Sequence, residues 1–95
     1  MFKITEDCVE KKTMTEYYSS DAHKGTEEFE QLIKTFEEES QFIFRMRDQD
    51  LDILYIGYSD DCTRPRGFDP LDMYGEYYGC MDIQYLNAKG EYERL

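Results

Sequence analysis

Two apolar stretches joined by a short acidic turn constrain the fold of this chain more than any other feature. Residues 42–47 alternate Phe, Phe and Met with Ile, Arg and Arg, which is the period-two pattern of a β-strand. Residues 51–58 return with the same alternation and place Leu51 and Ile53 on one face. Because both faces of the resulting hairpin carry apolar side chains, the hairpin is predicted to lie in the centre of an antiparallel sheet.

The main helix is predicted over residues 27–39, with Thr26 as its N-cap. Its apolar residues recur at the spacing of one helix face, i, i+3, i+4 and i+7. They are Phe29, Leu32, Ile33 and Phe36. The three glutamates 37–39 stand at the negative end of the helix dipole, where each costs about 0.3–1 kcal/mol. This helix therefore carries charge that its own stability does not favour.

The segments before the helix are less clearly patterned. Phe2 and Ile4 alternate as in a short strand, whereas residues 5–20 fit either a helix face or a strand. An irregular or strand structure is favoured there, followed by a loop over residues 19–25.

The C-terminal third predicts a short helix and two strands. Asp69 is predicted as the cap and Pro70 as the first residue of a helix ending near residue 74, where glycines 75 and 79 break it. Residues 80–86 alternate, with Met81 on the same side as Ile and Tyr, and residues 91–95 form a last short strand. The chain is thus predicted to be one α+β domain over residues 1–95, an antiparallel sheet of about four strands packed against one main amphipathic helix plus a short helix.

Charge is the feature that points most directly to function. The chain has 22 acidic and 11 basic residues and a net charge of −11, beyond the magnitude of about 2–8 that keeps a small domain in solution. Such a field repels nucleic acid and anionic membranes and attracts basic surfaces. We therefore expect a basic protein partner, with no direct nucleic-acid binding and no membrane contact.

Two pairs of arginines interrupt the acidic sequence. Arg45 and Arg47 are predicted to pair across the strands with Asp50 and Asp52. The second pair lies in the loop of residues 59–67 and is predicted to tie that loop to neighbouring carboxylates, because two positive charges within a field of −11 make a poor nucleic-acid site.

The sequence predicts a binding protein and not an enzyme. Its only histidine, His23, has no partner at metal-ligand spacing. The run of residues 48–52 resembles the start of a calcium loop, but Ile53 replaces the required Gly and Ser59 the required Glu. No catalytic residue, metal or cofactor is predicted.

A cytoplasmic location is expected. The three cysteines 8, 62 and 80 are widely spaced, as free thiols in a reducing compartment are. No apolar stretch approaches the roughly 20 residues that span a bilayer.

The predicted partner-binding residues are acidic side chains that can lie on one exterior surface. They form three sets: a helix set, a hairpin-turn set, and a loop set that includes the short helix. They are Glu27, Glu28, Glu30, Glu37, Glu38, Glu39, Asp48, Asp50, Asp52, Asp60, Asp61, Asp69, Asp72 and Glu76. Duplex DNA presents one negative charge per roughly 1.7 Å of axis, and a helix of about 20 Å bearing six glutamates reproduces part of such a track.

Through the charge of residues 37–39, 48–52 and 60–61, and through its size and α+β pattern, the chain resembles the phage-encoded DNA-mimic proteins that disable host defence, in particular the anti-restriction nuclease type of T-even phages. The resemblance implies that the chain inhibits a host restriction endonuclease, or a similar DNA-binding defence protein, by occupying its DNA-binding site without performing chemistry. Acidic anti-CRISPR proteins are a second possible kinship.

Beside the anti-CRISPR kinship, two other functions stay open from the sequence. The chain can be a dedicated inhibitor, an immunity protein or an antitoxin that neutralises one basic nuclease, with tyrosines as interface anchors. The candidate anchors are Tyr17, Tyr18, Tyr74, Tyr77 and Tyr78. An acidic structural subunit is the third possibility. A homodimer is also predicted, because two-fold symmetry is the commonest oligomeric arrangement and would lengthen a charge track.

Overall fold

The chain folds into an antiparallel sheet with one helix packed on each face. The computed structural model describes residues 1–39 and 41–95. Its strands are β1 (Phe2–Asp7), β2 (Lys12–Tyr18), β3 (Phe42–Arg47), β4 (Ile53–Ser59), β5 (Asp82–Leu86) and β6 (Tyr92–Arg94). Its α-helices are α1 (Glu27–Glu38) and α2 (Asp69–Tyr78), the latter preceded by a 3-10 turn at Arg66–Phe68. Within the described ranges the α+β class is confirmed.

The strand order is β2-β1-β4-β3-β5-β6, so the hairpin of β3 and β4 is central as predicted. The described residues form six strands where about four were predicted. The ambiguous region contributes β2, which pairs with β1 from Phe2 opposite Tyr18 to Asp7 opposite Lys12. As a half-exposed edge strand, β2 needs little apolar alternation, which explains why its pattern was weak.

The turn between β3 and β4 is longer than predicted. The Asp48 carboxylate accepts hydrogen bonds from the backbone N–H groups of Asp50 and Asp52, at 2.9 and 3.0 Å. Leu51 therefore lies in the turn, with a φ of 67° and 63% of its surface exposed. The prediction that β4 begins at Leu51 was wrong, because the capped turn extends to Asp52.

One face of the sheet, here called the α2 face, holds the larger core. Phe44, Met46 and Ile83 are fully buried there, and α2 covers them with Tyr74. Gly57 also belongs to this face, since a Cβ at Gly57 would lie 2.1 Å from the Lys3 carbonyl oxygen and 2.8 Å from the Phe44 ring. Only a residue without a side chain allows β1 and Phe44 to approach this closely.

Helix α2 differs from its prediction at both ends. Asp69 is the first helical residue and does not cap the helix, and Pro70 follows it. The helix then runs through Gly75 to Tyr78 and ends at Gly79, which has a φ of 75°. A glycine inside a helix costs about 1 kcal/mol, and the burial of Tyr74 in the core offsets that cost.

The opposite face, here called the α1 face, holds a smaller core. Phe29 and Phe36 of α1 are buried against Met1, Tyr17 and Tyr58. The hydroxyl of Thr26 accepts a hydrogen bond from the Phe29 N–H at 3.2 Å, so the predicted N-cap is confirmed. The helix ends at Glu38, one residue earlier than predicted, and Glu39 is its C-cap.

Polar side chains occupy the α1 face beside β5. The Arg47 guanidinium donates to both oxygens of Asp82, at 2.5 and 3.1 Å, and this bond raises the pKa of Arg47. Arg45 donates to Gln84 at 2.7 Å. The predicted pairing of Arg45 and Arg47 with Asp50 and Asp52 was wrong, because β5 lies beside β3 and sets Gln84 and Asp82 opposite the arginines.

In the C-terminal half, one side chain lies elsewhere than predicted and another makes the predicted kind of contact. Met81 lies before β5 and is 62% exposed, so its predicted place in the strand was wrong. Arg66 donates to Asp21 at 2.6 Å, which confirms that an arginine ties the loop to a carboxylate. Within residues 1–39 and 41–95, no helix is long and apolar enough to cross a membrane.

Candidate functional site

Helix α1 presents the largest set of exposed carboxylates. Over its 12 residues, about 18 Å at 1.5 Å per residue, the side of the helix turned away from the sheet carries one positive residue, Lys34. Besides Glu37, the exposed glutamates of the helix and its cap are Glu27, Glu28, Glu30, Glu38 and Glu39. None of the five forms an ion pair within the described part of the chain.

Glu37 differs from its neighbours because it is bound to the sheet. One of its oxygens accepts hydrogen bonds from the Lys3 ammonium and from the Tyr17 hydroxyl, each at 2.8 Å. These two donors lower the pKa of Glu37. Its carboxylate is therefore engaged in holding α1 against β1 and β2, and it is less available to a partner.

The hairpin-turn set divides in the same way. Asp48 accepts the turn hydrogen bonds described above, whereas Asp50 and Asp52 are exposed. This turn lies at one end of β4, and Asp60 follows the other end. The seven residues of β4 separate Asp52 from Asp60, so the two lie about 25 Å apart at roughly 3.3 Å per residue step.

The loop set is mostly engaged in local structure. Asp60 accepts from the amino group of Met1 at 2.7 Å. Asp61 accepts from the backbone N–H and the hydroxyl of Thr63, which lowers the pKa of Asp61. Burial raises the pKa of Asp69.

The remaining acidic residues of that set, Asp72 and Glu76, are exposed on α2. Because α2 and α1 pack on opposite faces of the sheet, these two carboxylates do not extend the α1 set. The structure therefore brings together the glutamates of α1 and leaves the hairpin-turn and α2 carboxylates elsewhere on the surface.

A groove lined by tyrosines lies between β2 and α2, on the α2 face. It encloses about 590 Å³. Its tyrosines are Tyr18, Tyr55, Tyr74, Tyr77 and Tyr78. Three of these belong to α2 at positions i, i+3 and i+4, a spacing that places side chains on one side of a helix and could have indicated the cluster from the sequence.

The candidate anchor tyrosines have different environments. Tyr74 is buried, whereas Tyr77 and Tyr78 are 81% and 52% exposed. Tyr17 lies on the α1 face against Phe36, with ring centroids 6.3 Å apart. Four of the five candidate tyrosines thus line the groove and Tyr17 does not.

The histidine and cysteines considered for chemistry are not among the residues that line this groove. His23 is exposed in the loop after β2, and the three cysteines are free. No group of three metal-ligating side chains forms among residues 1–39 and 41–95.

Known proteins add nothing to this geometry. No family model, curated protein or solved structure matches the chain. We therefore infer the function from the surface of the molecule itself.

Proposed function

We propose that this chain is a non-enzymatic inhibitor that occupies the DNA-binding site of a basic host protein, such as a restriction endonuclease. The observation that carries the proposal is the set of exposed glutamates on α1 and its cap. Glu38 and Glu39 stand at the end of the helix where the dipole disfavours negative charge. Folding gains nothing from them there, and binding to a basic surface is the role that their position supports.

The electrostatics of the molecule fit such a mechanism. A net charge of −11 steers association with a basic cleft and makes its rate sensitive to salt. In a cleft that binds duplex DNA, the α1 carboxylates would replace phosphates as partners of Lys and Arg. Occupation of the cleft then excludes DNA, and no bond of the partner needs to be broken.

A competition experiment tests the proposal. The protein is immobilised and its partner is captured from a host lysate, with and without an excess of duplex DNA. We expect DNA to release the partner. The double variant Glu38→Gln/Glu39→Gln should capture less, while the variant Asp50→Asn/Asp52→Asn, with the same net charge, should capture as much as the wild type.

A capture that DNA does not reduce, or an equal loss in both double variants, would contradict DNA mimicry. The first result would favour the second candidate function, a dedicated inhibitor or antitoxin of one basic nuclease. A specific observation supports that candidate. Tyr77 and Tyr78 are exposed beside one another on α2, and tyrosines are enriched among the residues that dominate binding at protein interfaces.

A further inference from the structure

The groove between β2 and α2 has an aromatic floor and mixed walls. Tyr55 and Tyr74 are buried at 6% and 3% exposure and form its base, with ring centroids 4.8 Å apart. Tyr78 stacks on Tyr74 at 4.7 Å. On the other side, Val9 of the β1–β2 turn lines the groove and is 59% exposed. Exposed apolar groups gathered around one depression are typical of an interaction site.

Carboxylates surround these rings. Asp7, Glu10 and Glu16 line the groove, and Lys12 is the one basic residue among its lining residues. Lys12 pairs with Glu10 at 2.9 Å. The lining thus carries an excess of negative charge above aromatic faces, and both attract cations.

The tyrosines supply neutral faces at physiological pH. Burial, together with the nearby carboxylate of Asp7, raises the pKa of Tyr55 to about 12. Burial and the hydrogen bond to Tyr18 also raise the pKa of Tyr74. Neither of these two phenols loses its proton near neutral pH, so the base of the groove keeps neutral ring faces.

The chain itself places one cation at the rim of the groove. The Lys24 ammonium lies 4.3 Å from the centroid of the Tyr18 ring and 3.1 Å from a carboxylate oxygen of Glu16. A ring face and a carboxylate therefore already hold a cationic side chain together here. Glu10, whose own partner is Lys12, and the exposed ring of Tyr78 line the same groove, so a cation of the partner would share or displace Lys12 at Glu10.

We infer that this groove binds a basic segment of the partner protein, with an Arg or Lys side chain lying against Tyr78 and pairing with the carboxylates of the rim. Its volume of about 590 Å³ exceeds that of one side chain, and it fits several residues of an extended peptide. The inference rests on the proposed function only in that the partner is basic, and it does not require the partner's site to bind DNA.

An NMR titration of the ¹⁵N-labelled chain with a nine-residue peptide of alternating Arg and Gly tests the inference. We expect the largest shift changes around the groove, at Val9, Met14, Tyr77 and Tyr78. The variant Glu10→Gln/Glu16→Gln should lower the affinity for the peptide about fivefold. The variant Glu38→Gln/Glu39→Gln has the same net charge and should change its affinity less than twofold.

The aromatic contribution is tested by Tyr78→Leu, which keeps an apolar side chain and all the carboxylates. This variant should lower the affinity for the peptide about three- to fivefold, the range of an exposed cation–π contact. If Tyr78→Leu does not fold, Tyr77→Leu is tested in its place. Equal weakening by the two charge variants, or shifts centred on α1, would show unspecific attraction and overturn the inference. DNA competition for the captured partner reports separately on the proposed function.

Discussion

The hydroxyl oxygens of Tyr18 and Tyr74 lie 2.8 Å apart and join the edge strand β2 to helix α2. Their rings meet edge to face, with centroids 5.7 Å apart. Both tyrosines line the groove of about 590 Å³. Tyr18 also lines a smaller depression of about 300 Å³, together with Met1, Asp72 and Met73 among others. The tyrosine pair therefore connects the two elements between which the groove lies.

Removal of either hydroxyl should destabilise the protein. Tyr18→Phe and Tyr74→Phe are each expected to lower the free energy of unfolding by about 0.5–1.5 kcal/mol, because each leaves the other hydroxyl without its partner. The double Phe variant should lose less than the sum of the two single losses. Urea unfolding of the four proteins measures this coupling, and strictly additive losses would show that the bridge contributes nothing.

A methyl group at position 57 should be far more damaging. Gly57→Ala places a Cβ against the backbone of β1, where the Lys3 carbonyl oxygen would be only 2.1 Å away. Backbone cannot move aside as a side chain can, so we expect a loss of about 3 kcal/mol or more. Gly75→Ala is a milder comparison, since its nearest contact is 3.3 Å. Thermal melts with a similar midpoint for both variants would contradict this account of the β1–β4 pairing.

The charge pairing of β3 gives a test that separates the observed contacts from the sequence prediction. Asp82 is 7% exposed and accepts two hydrogen bonds from Arg47. Asp82→Ala should lower the free energy of unfolding by about 1–3 kcal/mol, because it leaves a partly buried guanidinium without its partner. Asp52→Ala, at the predicted partner, should change it by less than about 0.5 kcal/mol. If chemical denaturation shows a larger loss for Asp52→Ala than for Asp82→Ala, the predicted pairing is right and the observed one is wrong.

The fold was predictable where the sequence alternates strongly. Residues 42–58 have apolar side chains on both faces, and this pattern placed β3 and β4 in the centre of the sheet correctly. Strand β2 was ambiguous because an edge strand with one exposed side requires few apolar residues. The partners of Arg45 and Arg47 were missed because the order of distant strands depends on tertiary packing, which local patterns do not report.

The candidate site was predictable only as a list of residues. Charge and exposure identified the glutamates of α1, but not that Glu37 is bound by Lys3 and Tyr17. The tyrosines of α2 were recognised as possible anchors. That they line one groove together with Val9 and Glu16 could not be predicted, because it depends on how α2 packs over the sheet.

The homodimer stays a prediction. Both outer strands of the sheet, β2 and β6, have an unpaired edge within the described residues, and such edges can pair with a second copy. We expect light scattering at micromolar concentration and ordinary salt to give twice the mass of 11.4 kDa. A mass of one chain under these conditions would refute it.

Stability and function should separate within the three adjacent glutamates. Glu37→Gln removes the acceptor of Lys3 and should lower the free energy of unfolding by about 0.2–1 kcal/mol. Glu38→Gln/Glu39→Gln should leave the stability unchanged or raise it slightly, because the penalties from the helix dipole and from like charges fall. Thermal melts and partner capture measure the two effects, and a Glu38→Gln/Glu39→Gln variant that melts lower yet captures equally well would show that these two carboxylates are structural.

The pH dependence of the Glu37 contribution follows from the direction of its pKa shift. Because the folded state lowers the pKa of Glu37, its stabilisation is fully present above the unfolded pKa of about 4.3. It is lost as the pH falls through the lower folded value. The difference in melting temperature between wild type and Glu37→Gln should therefore be constant from about pH 6 to 8 and shrink below about pH 4.5. A difference that grows on acidification would show that Glu37 is not held by Lys3 and Tyr17 in solution.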